Sequence, residues 1–191
     1  KNIYLNDKEL IKINNIKKLC FSNRKTIFEN GLKLTIDLSN DNKICAYRSK
    51  TKTPIIDFSK NKFHNSQKYW IPIKPINKTI IIEKNSFYIL KSKEKICIPP
   101  NLAGEMIPYD TGIGDFRVHY AGFFDPGFGY SGGAFAVLEV KTHEVSFVIE
   151  DGQTIARIQY EKLNKSSSML YGEKINSNYQ NQKLALSKHF I

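Results

Sequence analysis

The sequence predicts an all-β domain, on three observations. Apolar and polar residues alternate with a period of two, as where Leu32, Leu34, Ile36 and Leu38 alternate with Lys33, Thr35 and Asp37. The alternating stretches are short, and Asn, Asp, Gly or Pro divides them at regular spacing. Little of the chain between them carries a helical period. Many short strands with little helix argue for a barrel or a sandwich rather than a β-α-β fold. At 191 residues the chain is long enough for one real core and short for two, so a single domain is expected.

In chain order, Asn6 and Asp7 can cap a short helix over Lys8 to Cys20, with Leu10, Ile13 and Ile16 on one face. It reads as a connector more than as core. After Asn30 and Gly31 the period changes to two and strands begin at Leu32. Ile44 to Tyr47, Ile80 to Glu83, Phe87 to Leu90 and Lys95 to Ile98 are further β-like runs. Past Pro99 and Pro100 come Leu102 to Ile107, Phe116 to Tyr120, Phe135 to Val140, Val145 to Ile149 and Ile155 to Tyr160. The tail after Leu163 is polar yet keeps Tyr171, Tyr179, Leu184, Leu186 and Phe190, which a disordered tail rarely does, so it is expected to fold over a site or a neighbouring subunit. The expected organisation is a connector over residues 1–30, a barrel over 31–165 and a closing segment over 166–191.

Composition narrows the function classes. No apolar run approaches the roughly 20 residues of a membrane helix, so a soluble protein without membrane contact is expected. The net charge of +11 invites a nucleic-acid reading, but the surplus is mostly Lys dispersed among Asn and Ile, with Arg only at 24, 48, 117 and 157. A nucleoside triphosphate suits that sign equally well, and no nucleic-acid partner is expected. Cys20, Cys45 and Cys97 are odd in number and far apart, which suggests neither a disulfide framework nor a zinc knuckle and fits a reducing cytoplasm. The chain opens without Met and with no signal segment, as a piece of something longer would.

The densest chemical signal runs from Arg117 to Gly133 and on to Glu139. Glycines at 122, 127, 129, 132 and 133 let a backbone turn sharply or approach a ligand closely, and Asp125, Pro126 and Gly127 form a tight turn. The plain alternative is a hairpin with an aromatic-rich loop. Glu139 lies among Phe135, Val137, Leu138 and Val140, and alternation alone turns it toward solvent. Facing a pocket instead, it would have its pKa raised by desolvation toward the range of a general acid–base. His119, alone beside a glycine-rich loop, reads as a packed side chain more than as a catalyst.

The segment from Ala121 to Phe128, the strand bearing Leu138 and Glu139, the run from Glu150 to Ile158, and the run from Ser177 to Gln182 resemble, in that order, the successive motifs of the dCTP deaminases of the dUTPase-like superfamily. The match is closest to the C-terminal half of two-domain bacterial members and covers roughly Gly31 to the C-terminus. The resemblance implies a distorted dUTPase-like β-barrel (β-clip) with a short N-terminal helix and a C-terminal lid. It implies a trimer or pseudo-trimer with interfacial sites, formed by a homo-oligomer or an N-terminal partner domain. The implied reaction is deamination of dCTP to dUTP and ammonia, with Glu139 as the general acid–base. Ala121 would hold the water through its carbonyl, Asp125 would meet the deoxyribose, and Tyr171, Tyr179 and Gln182 would contact base or phosphates.

Zinc is not implied, because the Cys-x-x-Cys half of the zinc deaminase signature is missing; Mg²⁺ would accompany only the triphosphate. Two positions depart from the family. Asn178 stands where a lysine is common, and Phe123 replaces a phosphate-binding arginine. The Arg-Ser-Ser segment expected before Ala121 is also missing, the region reading from Pro108 to Phe116 without it. Arg117 or Arg157 would be a substitute, though Arg157 in its strand reads as structural. Alternative readings are a dUTP pyrophosphatase, in which Asp125 orients a water, and a non-catalytic nucleotide-binding half-domain.

Overall fold

The computed structural model describes residues 3–22, 25–108, 116–119 (backbone), 122–130, 132–142, 145–167, 169–172 and 183–191. The N-terminal helix α1 spans Asp7–Ile16. Asn6 accepts from the Glu9 N–H and Glu9 accepts from the Asn6 N–H, each at 3.0 Å, which satisfies two otherwise orphaned donors. The helix stops at Ile16, short of the predicted Cys20: Lys17 is extended, and the Asn14 side chain accepts from the Leu19 N–H at 2.9 Å. Leu10 is fully buried and belongs to the main core with Leu5, Leu19 and Cys20, so the expected connector packs as part of the core.

The strands are β1 (Cys20–Phe21), β2 (Leu32–Thr35), β3 (Ala46–Ser49), β4 (Trp70–Ile73), β5 (Thr79–Ile82), β6 (Phe87–Ile96), β7 (Leu102–Pro108), β8 (Phe116–His119), β9 (Phe123–Phe124), β10 (Ala134–Thr142), β11 (Phe147–Glu150) and β12 (Thr154–Lys162). The all-β expectation holds. Among the described residues the ladders form three open sheets rather than one closed barrel: β4-β3-β6-β10-β8 with β1 also on β6, β2-β12-β7-β9, and the pair β11-β5. A bridge between Ile36 and Ser92 ties the first two together, and one apolar cluster including Leu34, Ile36, Leu90, Leu138 and Ile158 fills the space between sheets.

The sequence suggests two strands over Phe87–Leu90 and Lys95–Ile98, whereas the chain forms one, β6, with an irregularity inside it. Phe135 pairs with Lys95 and Val137 with Lys91, so Ser92 to Glu94 face a single β10 residue, Ala136. The Ser92 hydroxyl repairs the interrupted ladder by accepting from the Ala136 N–H at 2.9 Å and donating to the Glu94 carbonyl at 2.7 Å. Ser92 is fully buried, so Ser92→Ala would leave both groups without water or partner. Urea unfolding of that variant is expected to show a loss of about 1–3 kcal/mol. An unchanged midpoint would mean the hydroxyl bridge contributes nothing.

The C-terminal end returns to the body of its own chain. Phe190 bridges His64, and the Lys62, Phe63 and His64 N–H groups donate to the carbonyls of Lys188 and His189. Phe190 packs against Tyr69 and Trp70, with ring centroids 5.3 and 6.1 Å away. The tail is thus folded onto its own chain at this end.

Candidate active site

In β10 the burial pattern alternates: Ala134, Ala136, Leu138 and Val140 point into the core, while Phe135, Val137, Glu139 and Lys141 lie on the outer face. Glu139 stands opposite Ile89 of β6 and His119 of β8. It is exposed in the single chain. In the single chain the direction of Glu139 is the one that the strand period alone predicts. A one-residue shift of β10 would turn four apolar side chains outward, so packing decides the orientation and Glu139 follows.

From His119, opposite Glu139, the chain reaches Phe123 in four residues, which cannot span more than about 14 Å. The loop after β9 therefore lies within reach of the Glu139 face. Phe123 pairs with Glu105 and is 60% exposed, whereas Phe124 is buried. Asp125 caps a turn in which its carbonyl accepts from the Phe128 N–H at 3.1 Å, and its side chain is exposed. The turn is pinned to Ile98, two residues past the end of β6, by two hydrogen bonds, Gly127 N–H to the Ile98 carbonyl and Ile98 N–H to the Phe128 carbonyl, at 2.9 and 2.8 Å.

Tyr171 sits on this same turn. Its N–H donates to the Pro126 carbonyl at 2.8 Å and its ring lies 5.7 Å from Phe128. The structure thus brings Tyr171 and the Asp125 turn together, two of the residues that the sequence singled out far apart in the chain. Ala121, Asn178, Tyr179 and Gln182 lie outside the described residues, as do the side chains of Arg117 and His119. Arg157 is half-buried in β12 between Lys33 and Ile107.

One cluster was missed in the sequence. Lys91, Lys93 and Lys95, which read as a polar break between two strands, stand on the outward face of β6 around Phe135 of β10. The period-two spacing of the lysines was the available signal, masked by Ser92 and Glu94 at the inward positions.

The three thiols are buried, and burial pushes Cys20 and Cys45 up to about 11 and raises Cys97 as well. Only the thiolate is nucleophilic, so these cysteines are inert in the folded chain at neutral pH. Iodoacetamide is expected to label them only at the rate of unfolding; rapid labelling of the native chain at pH 7.5 would contradict that. Among the described residues no three His, Cys, Asp or Glu side chains converge on a metal position, and no helix is long and apolar enough to cross a membrane.

Comparison with known proteins places this arrangement. The family model described as 2'-deoxycytidine 5'-triphosphate deaminase (DCD), C-terminal domain, matches residues 6–190. The crystal structure of 2'-deoxycytidine 5'-triphosphate deaminase from Agrobacterium tumefaciens is 38% identical and superposes with a TM-score of 0.80, over 91% of this chain and 52% of that one. This chain therefore spans about half the length of that relative. A dUTPase of Staphylococcus bacteriophage 80alpha is 12% identical, with a TM-score of 0.40 over 69% of this chain and 95% of that one. No curated protein matches the sequence. With nearly its whole length matched by the family model, and its sheets superposing on those of a deaminase with 38% of residues identical, the chain belongs to the family of 2'-deoxycytidine 5'-triphosphate deaminase C-terminal domains.

Proposed function

We propose that this chain takes part in the hydrolytic deamination of dCTP to dUTP and ammonia, with Glu139 as the residue that moves the proton. The observation that carries the reading is the superposition on a dCTP deaminase over 91% of the chain, and the outward position of Glu139 on a central strand supports it. The reaction adds water at C4 of the cytosine ring and expels the amino group. The Glu139 carboxylate takes a proton from the water as the new C–O bond forms and passes it to the ring nitrogen. Glu139 then carries the remaining proton of the new C4 hydroxyl to the amino group, the C4=O bond forms as the C–N bond breaks, and ammonia leaves, so that dCTP and water balance dUTP and ammonia. A carboxylate within hydrogen-bond reach of both water and ring is the required geometry.

In this reading Asp125 holds the deoxyribose hydroxyl, and Ala121 fixes the water through its carbonyl. Phe123, Tyr171, Asn178, Tyr179 and Gln182 form the remaining nucleotide contacts. The exposure of Glu139 and the match to half of the relative's length favour a site completed by a second half-domain or a second copy, in a trimer or pseudo-trimer. Magnesium would accompany only the triphosphate. The replacement of an expected arginine by Phe123 favours one further reading, a half-domain that binds nucleotide and leaves the chemistry to its partner.

Incubation with dCTP and chromatographic separation of the products discriminates the readings. Formation of dUTP supports deamination, and dUMP from supplied dUTP points to a pyrophosphatase. Saturable dCTP binding without turnover supports the half-domain.

A further inference from the structure

The irregularity in β6 has a second side. Inside, Ser92 and Glu94 are buried, the Glu94 carboxylate accepting from the Thr35 N–H and hydroxyl at 2.8 and 2.7 Å. Because side chains alternate, this inward anchoring turns Lys91, Lys93 and Lys95 outward together. Lys93 and Lys95 border an open groove of about 460 Å³, lined also by Lys18, Phe21, Ser22, Gly132 and Phe135. Gly132 has φ +116°, and a side chain built there would meet nothing within 4 Å. The floor of the groove at that point is bare backbone.

The charges are held in different ways. Lys91 is paired with Asp37 at 2.7 Å and Lys93 with Asp151, so both ammonium groups are positioned and partly neutralised. Lys95 lies 5.2 Å from the Phe135 ring centroid, with Lys91 at 4.3 Å over the same ring, and no described carboxylate pairs with Lys95 or Lys18. Two uncompensated cations, two aromatic rings and a hydroxyl around a small cleft suit a polyanion with a flat face better than they suit an apolar ligand. Phe135 and Glu139 share the outer face of β10, four residues or about 13 Å apart, a span that an extended nucleoside triphosphate covers.

We infer that this groove binds the polyphosphate chain of a nucleotide, with Lys18 and Lys95 as the cations that meet it. The identity of the nucleotide rests on the deaminase reading; the anion site does not. The phosphates come either from the substrate that reaches Glu139 or from a second nucleotide, and the site chemistry is the same in both cases.

Titrating the full chain with inorganic tripolyphosphate, by calorimetry at low and at 0.3 M salt, tests the groove directly. Saturable binding that weakens with salt is expected, together with a tenfold or larger loss in the double variant Lys18→Glu with Lys95→Glu. Both lysines are exposed, so the fold should survive, and the circular dichroism spectrum checks it. Lys95→Arg should keep the binding. A raised KM for dCTP in the double variant, with kcat kept, assigns the groove to the substrate's own phosphates; loss of tripolyphosphate binding with KM unchanged assigns it to a second nucleotide. Equal tripolyphosphate affinity in parent and double variant overturns the site, as does no binding by the parent chain. Binding of an acidic polyglutamate peptide but not of tripolyphosphate also overturns it, making the groove a protein contact. If the chain binds tripolyphosphate as expected but produces no dUTP, the half-domain reading replaces catalysis by this chain alone and the groove stands.

Discussion

Replacing Glu139 with Gln is expected to leave the fold and the melting temperature unchanged and to lower deamination by a factor of about a hundred to ten thousand, the range for loss of a positioned acid–base. The side chain is exposed in the single chain and contributes nothing to the core, so its amide isostere fits the same strand position. The amide cannot accept the proton from water or return it to the ring. The loss should fall on kcat rather than on KM, because the group is needed in the transition state and not for holding the nucleotide. Assays should use the chain in whatever assembly turns over dCTP. A Gln variant as fast as the parent would remove Glu139 from the mechanism altogether.

The second large effect is structural and reaches the site through the loop. Gly129 has φ +64°, and a methyl group added there would lie 2.1 Å from the Ile96 carbonyl oxygen and 2.8 Å from the Ala134 nitrogen. Both are backbone atoms of paired strands and cannot yield as the tip of a side chain can. Gly129→Ala is therefore expected to cost about 3–5 kcal/mol, combining left-handed strain with overlap against β6 and β10. Since the same loop carries Asp125 and the Pro126 carbonyl that holds Tyr171, nucleotide binding should weaken along with stability. Gly132→Ala is the control, because there only backbone strain opposes the methyl group and about 1–3 kcal/mol is expected. Equal losses in the two variants, measured by denaturant unfolding, would show that the contact with Ile96 does not matter.

The parts of the fold that could be read in the sequence are those where local pattern and tertiary packing agree. Leu32 to Leu38 alternates cleanly, and the structure buries Leu32, Leu34, Ile36 and Leu38 completely. β7, β10 and β12 were legible for the same reason. β1 and β9 are two residues long and carry no period, and β4 contains Pro72, tolerated because among the described residues β4 is an edge strand paired with β3 alone. In the sequence β6 looks like two strands because Ser92 and Glu94 resemble loop residues. Their burial depends on the Ala136 N–H and on Thr35, groups distant in the chain that no local window contains.

The site divides in a similar way. The order of motifs from Ala121 to Gln182 was enough to name the family, and strand alternation by itself gave the direction of Glu139. What only the tertiary structure decided was proximity: Tyr171 on the Asp125 turn, and the lysines of β6 grouped around Phe135. The physical reason is that periodicity encodes which face of a strand a side chain takes, a local property of the backbone. Which strands and loops share that face is set by long-range ladders and by buried polar anchors such as Ser92 and Glu94, which come into being only when the sheets pack.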